Sequence, residues 1–314
     1  MSFDVPFKKY GPDGSLVLIG EILVDVIEDT GNKKTVTSLG GSPANIAVGC
    51  TQLGIPCHFF GSVGNDESAV FLRNEINKER VLADIATNEY PTSVVHMDKN
   101  IFSPSPRFAR SVDYRIEFSD SMKNAIASTS ILHFSFWPLS KKPGRTTILR
   151  AIDLAKQENI TIGFDPNYHP LLDDQSRSGL SVLLDVMQKV DIVKPSLDDS
   201  FRIFGKRLDP SAYLDLYEKM GIPLIIMTLG KDGLVCRYEG ETLWLDSLAS
   251  EIVDSTGAGD AFWSGLYSGL LHNDSLKDSL KLGLMASSLS LATVGANCHL
   301  PTYDQLRILL EKRG

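Results

Sequence analysis

The segment Ile252-Val253-Asp254-Ser255-Thr256-Gly257-Ala258-Gly259-Asp260-Ala261-Phe262 carries the densest chemistry in the chain. A strand-like start runs into a glycine-rich turn, and an apolar, helix-forming stretch opens at once. Such a turn leaves the first backbone N–H groups of the helix without intrahelical partners, and the helix dipole adds partial positive charge there. Gly257 and Gly259 let the backbone come close to a phosphate. Asp260 lies in the first turn, aimed at the same point. A carboxylate beside an anion-binding turn repels the anion, so phosphate binding alone does not account for it. Accepting a proton from a hydroxyl that attacks the phosphorus does. For a generic Gly-Asp pair, acidic helix capping would be the better reading, but the complete string 254–260 is much more specific. It is not a P-loop, because G-x-x-x-x-G-K-[ST] occurs nowhere in the chain. It is not a dinucleotide fingerprint either, because Phe262 stands where the third small residue is needed.

The surrounding sequence must place this turn. Short apolar runs alternate with amphipathic stretches, the pattern of an α/β fold with a mostly parallel sheet. Strands are expected at 16–19, 58–62, 131–137, 161–165, 191–194 and 223–228, with a hairpin of 234–238 and 242–246. Helices are expected near 67–78, 144–158, 178–188, 211–220, 259–272, 276–294 and 303–312. Ser42 reads as a helix cap with Pro43 at the first position, and Ile46, Cys50 and Leu53 share one face of the helix that follows. Two stretches, 23–39 and 92–118, fall outside the alternation. They read either as strands of a small projecting sheet or as edge hairpins of the main one.

Among 314 residues, 31 Lys and Arg stand against 39 Asp and Glu, a formal net charge of −8. That field repels nucleic-acid backbones and anionic membrane surfaces, so neither is an expected partner. No segment is apolar for long enough to span a bilayer. The start carries Asp4, Lys8, Lys9 and Asp13 and does not read as a signal peptide, so the expected location is cytoplasmic. Cys50, Cys57, Cys236 and Cys298 form no C-x-x-C pair and read as reduced, buried thiols.

The string 254–260 resembles the C-terminal signature of the ribokinase-like (PfkB) carbohydrate kinases. Gly40-Gly41-Ser42-Pro43-Ala44-Asn45-Ile46-Ala47 resembles their N-terminal signature, and Gly61-Ser62-Val63-Gly64-Asn65-Asp66 follows at the expected place. The resemblance extends over the whole chain. It implies one ribokinase-like kinase domain, 1–314, a three-layer α/β/α fold with 23–39 and 92–118 forming a small β-sheet lid. It implies Asp260 as the catalytic base, the N–H groups of Gly257, Ala258 and Gly259 as an anion hole, and Mg²⁺ bridging the phosphates of ATP. Thr228-Leu229-Gly230-Lys231-Asp232-Gly233 resembles the nucleotide-contacting turn, through Thr228, Gly230 and Gly233. Gly295-Ala296-Asn297 resembles the segment near the adenine, with Asn297 as a contact. Lys194-Pro195-Ser196-Leu197-Asp198-Asp199 is similar to the N-x-x-E stretch that organises Mg²⁺ and phosphate through water. Ser196 and Asp199 replace the usual Asn and Glu; Lys194 and Ser196 fall to the nucleotide side and Asp199 to the metal. A potassium ion near the 254 turn and a homodimer paired through the lid are further implications.

On the sugar side, a polyol needs fixed donors and acceptors, and Asp25 and Asn45 supply both kinds beside Gly40 and Gly41. Asp165-Pro166-Asn167-Tyr168-His169 ends a strand, where α/β sheets place ligands. It resembles the family's D-P-N-x-R stretch, except that His169 replaces Arg and cannot hold a carboxylate bidentately. The opening Gly20-Glu21-Ile22-Leu23-Val24-Asp25 and the segment Phe108-Ala109-Arg110-Ser111-Val112-Asp113-Tyr114 look most like fructokinases, with 2-keto-3-deoxygluconate kinases as close relatives. His169 weakens the acidic substrate, although Arg107 or Arg110 would supply a cation from the lid. The expected activity is phosphorylation of D-fructose to fructose 6-phosphate. The alternatives are the keto-deoxy acid and a non-catalytic, kinase-like sugar-binding protein.

Overall fold

The computed structural model describes residues 2–29, 34–98, 106–172, 178–293, 295 and 298–313. The N-terminal part runs β1 (Leu16–Ile19), β2 (Leu23–Asp29), β3 (Lys34–Gly40), α1 (Ser42–Gln52), β4 (Cys57–Val63), α2 (Glu67–Lys78), β5 (Leu82–Thr87), β6 (Val94–Asp98) and β7 (Arg107–Ala109). The middle runs α3 (Asp120–Ala127), β8 (Ile131–Ser135), α4 (Phe136–Leu139), α5 (Gly144–Gln157), β9 (Thr161–Asp165), α6 (Ser178–Met187), β10 (Ile192–Val193), α7 (Leu197–Phe204) and α8 (Pro210–Glu218). The remainder is β11 (Leu224–Thr228), β12 (Leu234–Tyr238), β13 (Glu241–Leu245), α9 (Ala258–Leu271), α10 (Leu276–Leu291) and α11 (Tyr303–Glu311).

Strands that are apolar at every position need cover on both faces. β1, β8 and β9 are buried throughout and lie side by side in a sheet of order β13-β12-β11-β10-β9-β8-β1-β4-β5. Its pairings are parallel except the last two, β11 with β12 and β12 with β13. Alternate side chains feed opposite layers, as the strand period of two requires. Val17, Ile19, Leu132, Phe134, Ile162 and Phe164 pack with Ile148 and Ile152 of α5 and Leu183 of α6. Leu16, Leu18, Ile131 and Ile192 pack with Ala44, Ile46 and Cys50 of α1 and with Trp263 and Leu266 of α9. Helices therefore cover both faces, giving the expected three layers.

The strands drawn from 23–39 and 92–118 form a separate mixed sheet of order β3-β2-β6-β7, which decides between the two readings of those stretches. Strand structure in the second stretch ends at Ala109. Beyond it, Ser93 Oγ accepts the N–H groups of Ser111, Val112 and Asp113 at 2.8, 3.1 and 3.2 Å and pulls the chain into a turn. β8 is shorter than expected, because Ser135 accepts the N–H of Trp137 (3.3 Å) and starts α4. β5, α3 and α7 were not anticipated. β5 is a largely exposed edge strand with no apolar run to announce it. Cys50, Cys57 and Cys236 are buried free thiols, while Cys298 is half-buried. No helix among the described residues is long and apolar enough to cross a membrane.

α9 must lie close against α10 to aim its first turn at the carboxyl edge of the sheet. A Cβ at Gly265 would stand 2.4 Å from the carbonyl oxygen of Leu282 on α10. Gly265→Ala is therefore expected to destabilise the fold by about 1–3 kcal/mol, the usual cost of overpacking. Urea unfolding should show a lower midpoint at an unchanged slope.

Candidate active site

β10, β9, β8 and β1 are consecutive and parallel, so their carboxyl ends form one edge. Four polar side chains line up along it. Glu21 lies two residues beyond β1, Ser135 ends β8, Asp165 ends β9, and Lys194 follows β10. This is the edge at which α/β folds bind ligands.

The N-termini of α1 and α9 meet above that edge. Gly257 caps α9 at φ +77°, a left-handed conformation that favours glycine. From the first turn of α9, Asp260 accepts a hydrogen bond from Ser42 Oγ on Oδ1 at 2.7 Å and one from Asn45 Nδ2 on Oδ2 at 2.9 Å. Burial pushes the Asp260 carboxyl up to about 6, against the hydrogen bonds of Ser42 and Asn45; Asp165 adds to the rise and Lys194 opposes it. The tight entry to α1 depends on its glycines. Gly41 has φ +102°, and a Cβ there would lie 2.3 Å from the carbonyl oxygen of Glu21. A Cβ at Gly40 would run into the Asp25 carboxylate at 2.4 Å.

Two cavities flank the 257–260 turn. The smaller, about 240 Å³, is lined by Glu21, Asp25, Asn45, Trp137, Asn167 and Asp260 among others. Burial raises the Asp25 carboxyl to about 7, with Asp260 adding to it. Burial likewise raises Glu21 to about 8. Asn45 Oδ1 is buried and has no partner among the described residues, leaving an acceptor for a ligand hydroxyl. The larger cavity, about 430 Å³, is lined by Ser196, Thr228, Gly230, Gly233, Ala258 and Gly259, with Ile252, Leu284 and Leu291 as an apolar wall.

The turn between the cavities can stabilise an anion. Ala258 N–H is turned back onto Ser255 O at 3.3 Å, whereas the N–H groups of Gly257 and Gly259 have no acceptor among the described residues. Lys194 Nζ lies 3.5 Å from where a Gly259 Cβ would stand, and pairs with Asp165 at 3.1 Å. A buried cation and free amide hydrogens thus face the point where the cavities meet, with Asp260 on its other side. The pattern of the pfkB family carbohydrate kinases matches residues 13–303.

The chain belongs to the pfkB family of carbohydrate kinases.

An ATP-dependent 6-phosphofructokinase from Thermoanaerobacterium thermosaccharolyticum is 41% identical over 97% of this chain and 95% of its own. A fructokinase from Klebsiella pneumoniae is 28% identical over 94% of this chain and 99% of its own. A double mutant of the fructokinase from Vibrio cholerae O395, solved with fructose, ADP and potassium ion, has a TM-score of 0.85 at 26% identity, over 96% of this chain and all of its own.

In this kinase the residues expected around the sugar divide into two groups. Asp25, Gly41, Asn45 and Asn167 line the smaller cavity together with Asp260 and Gly257, and Gly40 lies beneath Asp25. Asp165 stands behind the cavity, accepting from Trp263 Nε1 at 2.8 Å and pairing with Lys194. His169 is half-buried, its Nδ1 accepting from Leu171 N–H and its ring edge-on to Phe108 of the small sheet. Arg110, expected as a sugar contact, is not among the residues that line the smaller cavity. Its guanidinium is buried and committed to Asp113, Ser140 Oγ and the carbonyls of Leu172 and Trp137. It ties the lid segment to the body.

Asp199, expected on the metal side through water, lies in the first turn of α7 beside Ser196. Its Oδ2 accepts from Ser196 N and Oγ at 3.0 and 2.6 Å, and its Oδ1 from Tyr168 N at 3.1 Å, so it closes the capping box of α7. Ser196, Thr228, Gly230 and Gly233 line the larger cavity as expected. Asn297 lies outside the described residues. Asp254 ties two loops together, accepting from Thr256 N and Oγ and from Gly295 N. Glu21, Ser42 and Trp137 were missed as site residues. Only Glu21 carried a signal, its place just past the first strand.

A general base must be ionised to act. With Asp260 as the proposed base, protonation of its carboxyl below about pH 6 removes the proton acceptor, so kcat/KM should fall tenfold per pH unit on that side. Asp260→Asn should lower kcat by about 10²–10⁴-fold and abolish that acid limb. A coupled assay of ADP release over a range of sugar concentrations at each pH checks both.

Proposed function

We propose that this kinase transfers the γ-phosphoryl group of ATP to a primary hydroxyl of a ketohexose, and that D-fructose is the substrate its pocket fits. One observation supports the neutral sugar. The lining of the smaller cavity contains Glu21, Asp25 and Asp260 and, among the described residues, no Lys or Arg. A carboxylate or phosphate on the substrate would meet only like charge and desolvated acids there. Polyol hydroxyls, in contrast, match Asp25 and the free Asn45 Oδ1.

In this reading the reacting hydroxyl enters from the smaller cavity and the triphosphate from the larger one. The hydroxyl oxygen attacks the γ-phosphorus, its proton passes to Asp260, and the bond to the β-phosphate oxygen breaks to release ADP. Asp25 and Asn45 orient the sugar. Gly257 and Gly259 N–H and the Lys194 ammonium face the charge on the transferred group and cost no reorganisation at that moment. Mg²⁺ entering on ATP would neutralise phosphate charge. Among the described residues no three acidic, His or Cys side chains gather to hold a metal, so the phosphates and water would supply its ligands. No protein ligand is assigned to it.

A second reading is favoured by the 41% identical 6-phosphofructokinase: fructose 6-phosphate as the acceptor, through its remaining primary hydroxyl. It requires a cation for the 6-phosphate from outside the described lining. Initial rates on D-fructose, fructose 6-phosphate and 2-keto-3-deoxygluconate separate the possibilities. The neutral-sugar reading expects kcat/KM for fructose to exceed that for either anion by at least about tenfold, the effect of about 1.4 kcal/mol. A tenfold advantage for fructose 6-phosphate would replace it with the second reading. Sugar binding without ADP release on any substrate would leave only the non-catalytic alternative.

A further inference from the structure

We infer that Ser42 and Glu21 are positioning residues that hold Asp260 off the end of its own helix and keep it directed into the sugar pocket. This rests on the reading of Asp260 as the base.

Asp260 is the third residue of α9, after Ala258 and Gly259. An acidic side chain at that position ordinarily folds back to accept the N–H of its own cap residue. The same chain shows this outcome on α7, where Asp199 occupies the third position and accepts from Ser196 N at 3.0 Å. On α9 the corresponding contact is missing. Both Asp260 oxygens are instead drawn outward by donors from α1, Ser42 Oγ and Asn45 Nδ2. The consequence is twofold. The carboxylate reaches the sugar pocket, and Gly257 N–H stays available to a phosphate.

Ser42 is fixed in turn. It is buried, and its N–H donates to Glu21 Oε1 at 3.1 Å, in place of the side-chain cap that α1 lacks. The other Glu21 oxygen accepts from Ser135 Oγ at 2.6 Å at the end of β8. Glu21 is 1% exposed, so it has little room to move. Pro43 closes the remaining gap, lying 2.4 Å from where a Gly20 Cβ would stand. A chain of contacts therefore runs from β8 through Glu21 and Ser42 to Asp260. The charged groups that influence Asp260 are Asp25 from β2, Asp165 from β9 and Lys194 after β10, and none of them is altered when Ser42 or Glu21 is replaced.

The test reads the protonation of Asp260 directly as well as turnover. The hydrogen bond from Ser42 opposes the rise caused by burial. Ser42→Ala should therefore move the Asp260 titration upward by about one pH unit, the scale of one hydrogen bond to a charged group. The ¹³C-carboxyl resonance that disappears in Asp260→Asn reports this in the absence of any substrate. At pH 6.5 kcat should fall about threefold with the KM for ATP unchanged within twofold, and Ser42→Thr should restore both readings. Glu21→Ala should reproduce the upward shift at a distance, while Glu21→Gln, which keeps an acceptor for Ser42 N–H, should largely preserve the wild-type titration. An Asp260 titration that stays in place or moves down in Ser42→Ala, or a Ser42→Thr variant that fails to recover it, overturns the inference. If the titration shifts as stated but no sugar is phosphorylated, the positioning holds and the functional reading fails.

Discussion

The site depends on one junction, the meeting of two helix N-termini through the Asp260 carboxylate. α1 and α9 both present positive dipole ends, which would repel each other if nothing lay between them. A carboxylate shared by Ser42 and Asn45 on one helix and carried by the other removes that conflict. The arrangement constrains the backbone on both sides. Gly41 at φ +102° and Gly257 at φ +77° allow the two turns to approach, and each carries the chain straight into a helix. Burial of Ala44, Ile46, Ala47, Phe262 and Trp263 in one apolar cluster holds the helices in that position.

Four aspartates within this region show how surroundings divide one chemistry into several roles. Asp165 is buried with Lys194 and Trp263 Nε1 as fixed partners, so its charge is neutralised in place. Breaking a buried pair of this kind is expensive, because it leaves one charge without compensation. Asp199 is saturated by its own helix cap and by Tyr168 N, and burial and Asp165 raise its titration. The Asp25 side chain makes no hydrogen bond among the described residues and lines the open volume of the smaller cavity. Asp260 has donors on both oxygens and still borders that volume. Of the four, only Asp260 combines hydrogen-bond donors on both oxygens with a place on the lining of the smaller cavity.

The sequence made the turn at 254–260 and the apolar central strands legible, because glycine spacing and uninterrupted apolar runs have few structural outcomes. It also singled out Asp25 and Asn45, which line the smaller cavity, and the 228–233 turn, which lines the larger one. What it could not reveal was how polar groups choose among competing partners. Arg110 and Asp113 are three apart and look like lid residues available to a ligand, yet Ser140 and two carbonyls, distant in sequence, consume the guanidinium. Asp199 stands where a metal-organising acid is expected, and the nearby Ser196 captures it. Glu21 reads as the end of a strand, and only the folded chain brings Ser42 and Ser135 to its two oxygens. Trp137 reads as strand and becomes a pocket wall because Ser135 starts a helix one residue too early for β8 to continue. Each departure is a local hydrogen bond that outcompetes a pattern.

The small sheet completes the logic of transfer. Water is a competing acceptor in any phosphoryl transfer to a hydroxyl. The side chains that β2 and β6 turn toward the pocket are Leu23, Val95 and Met97, with Asp25 as the polar exception. This wall offers water no partners except at the point where a sugar needs one. An apolar wall with a single acceptor leaves a bound water poorly satisfied. Rigid attachment of the sheet strengthens the effect. Arg110 anchors it to α4, and Ser93 Oγ gathers three successive N–H groups beneath it. The buried arginine that sequence suggested as a ligand contact thus holds the small sheet to the body of the fold.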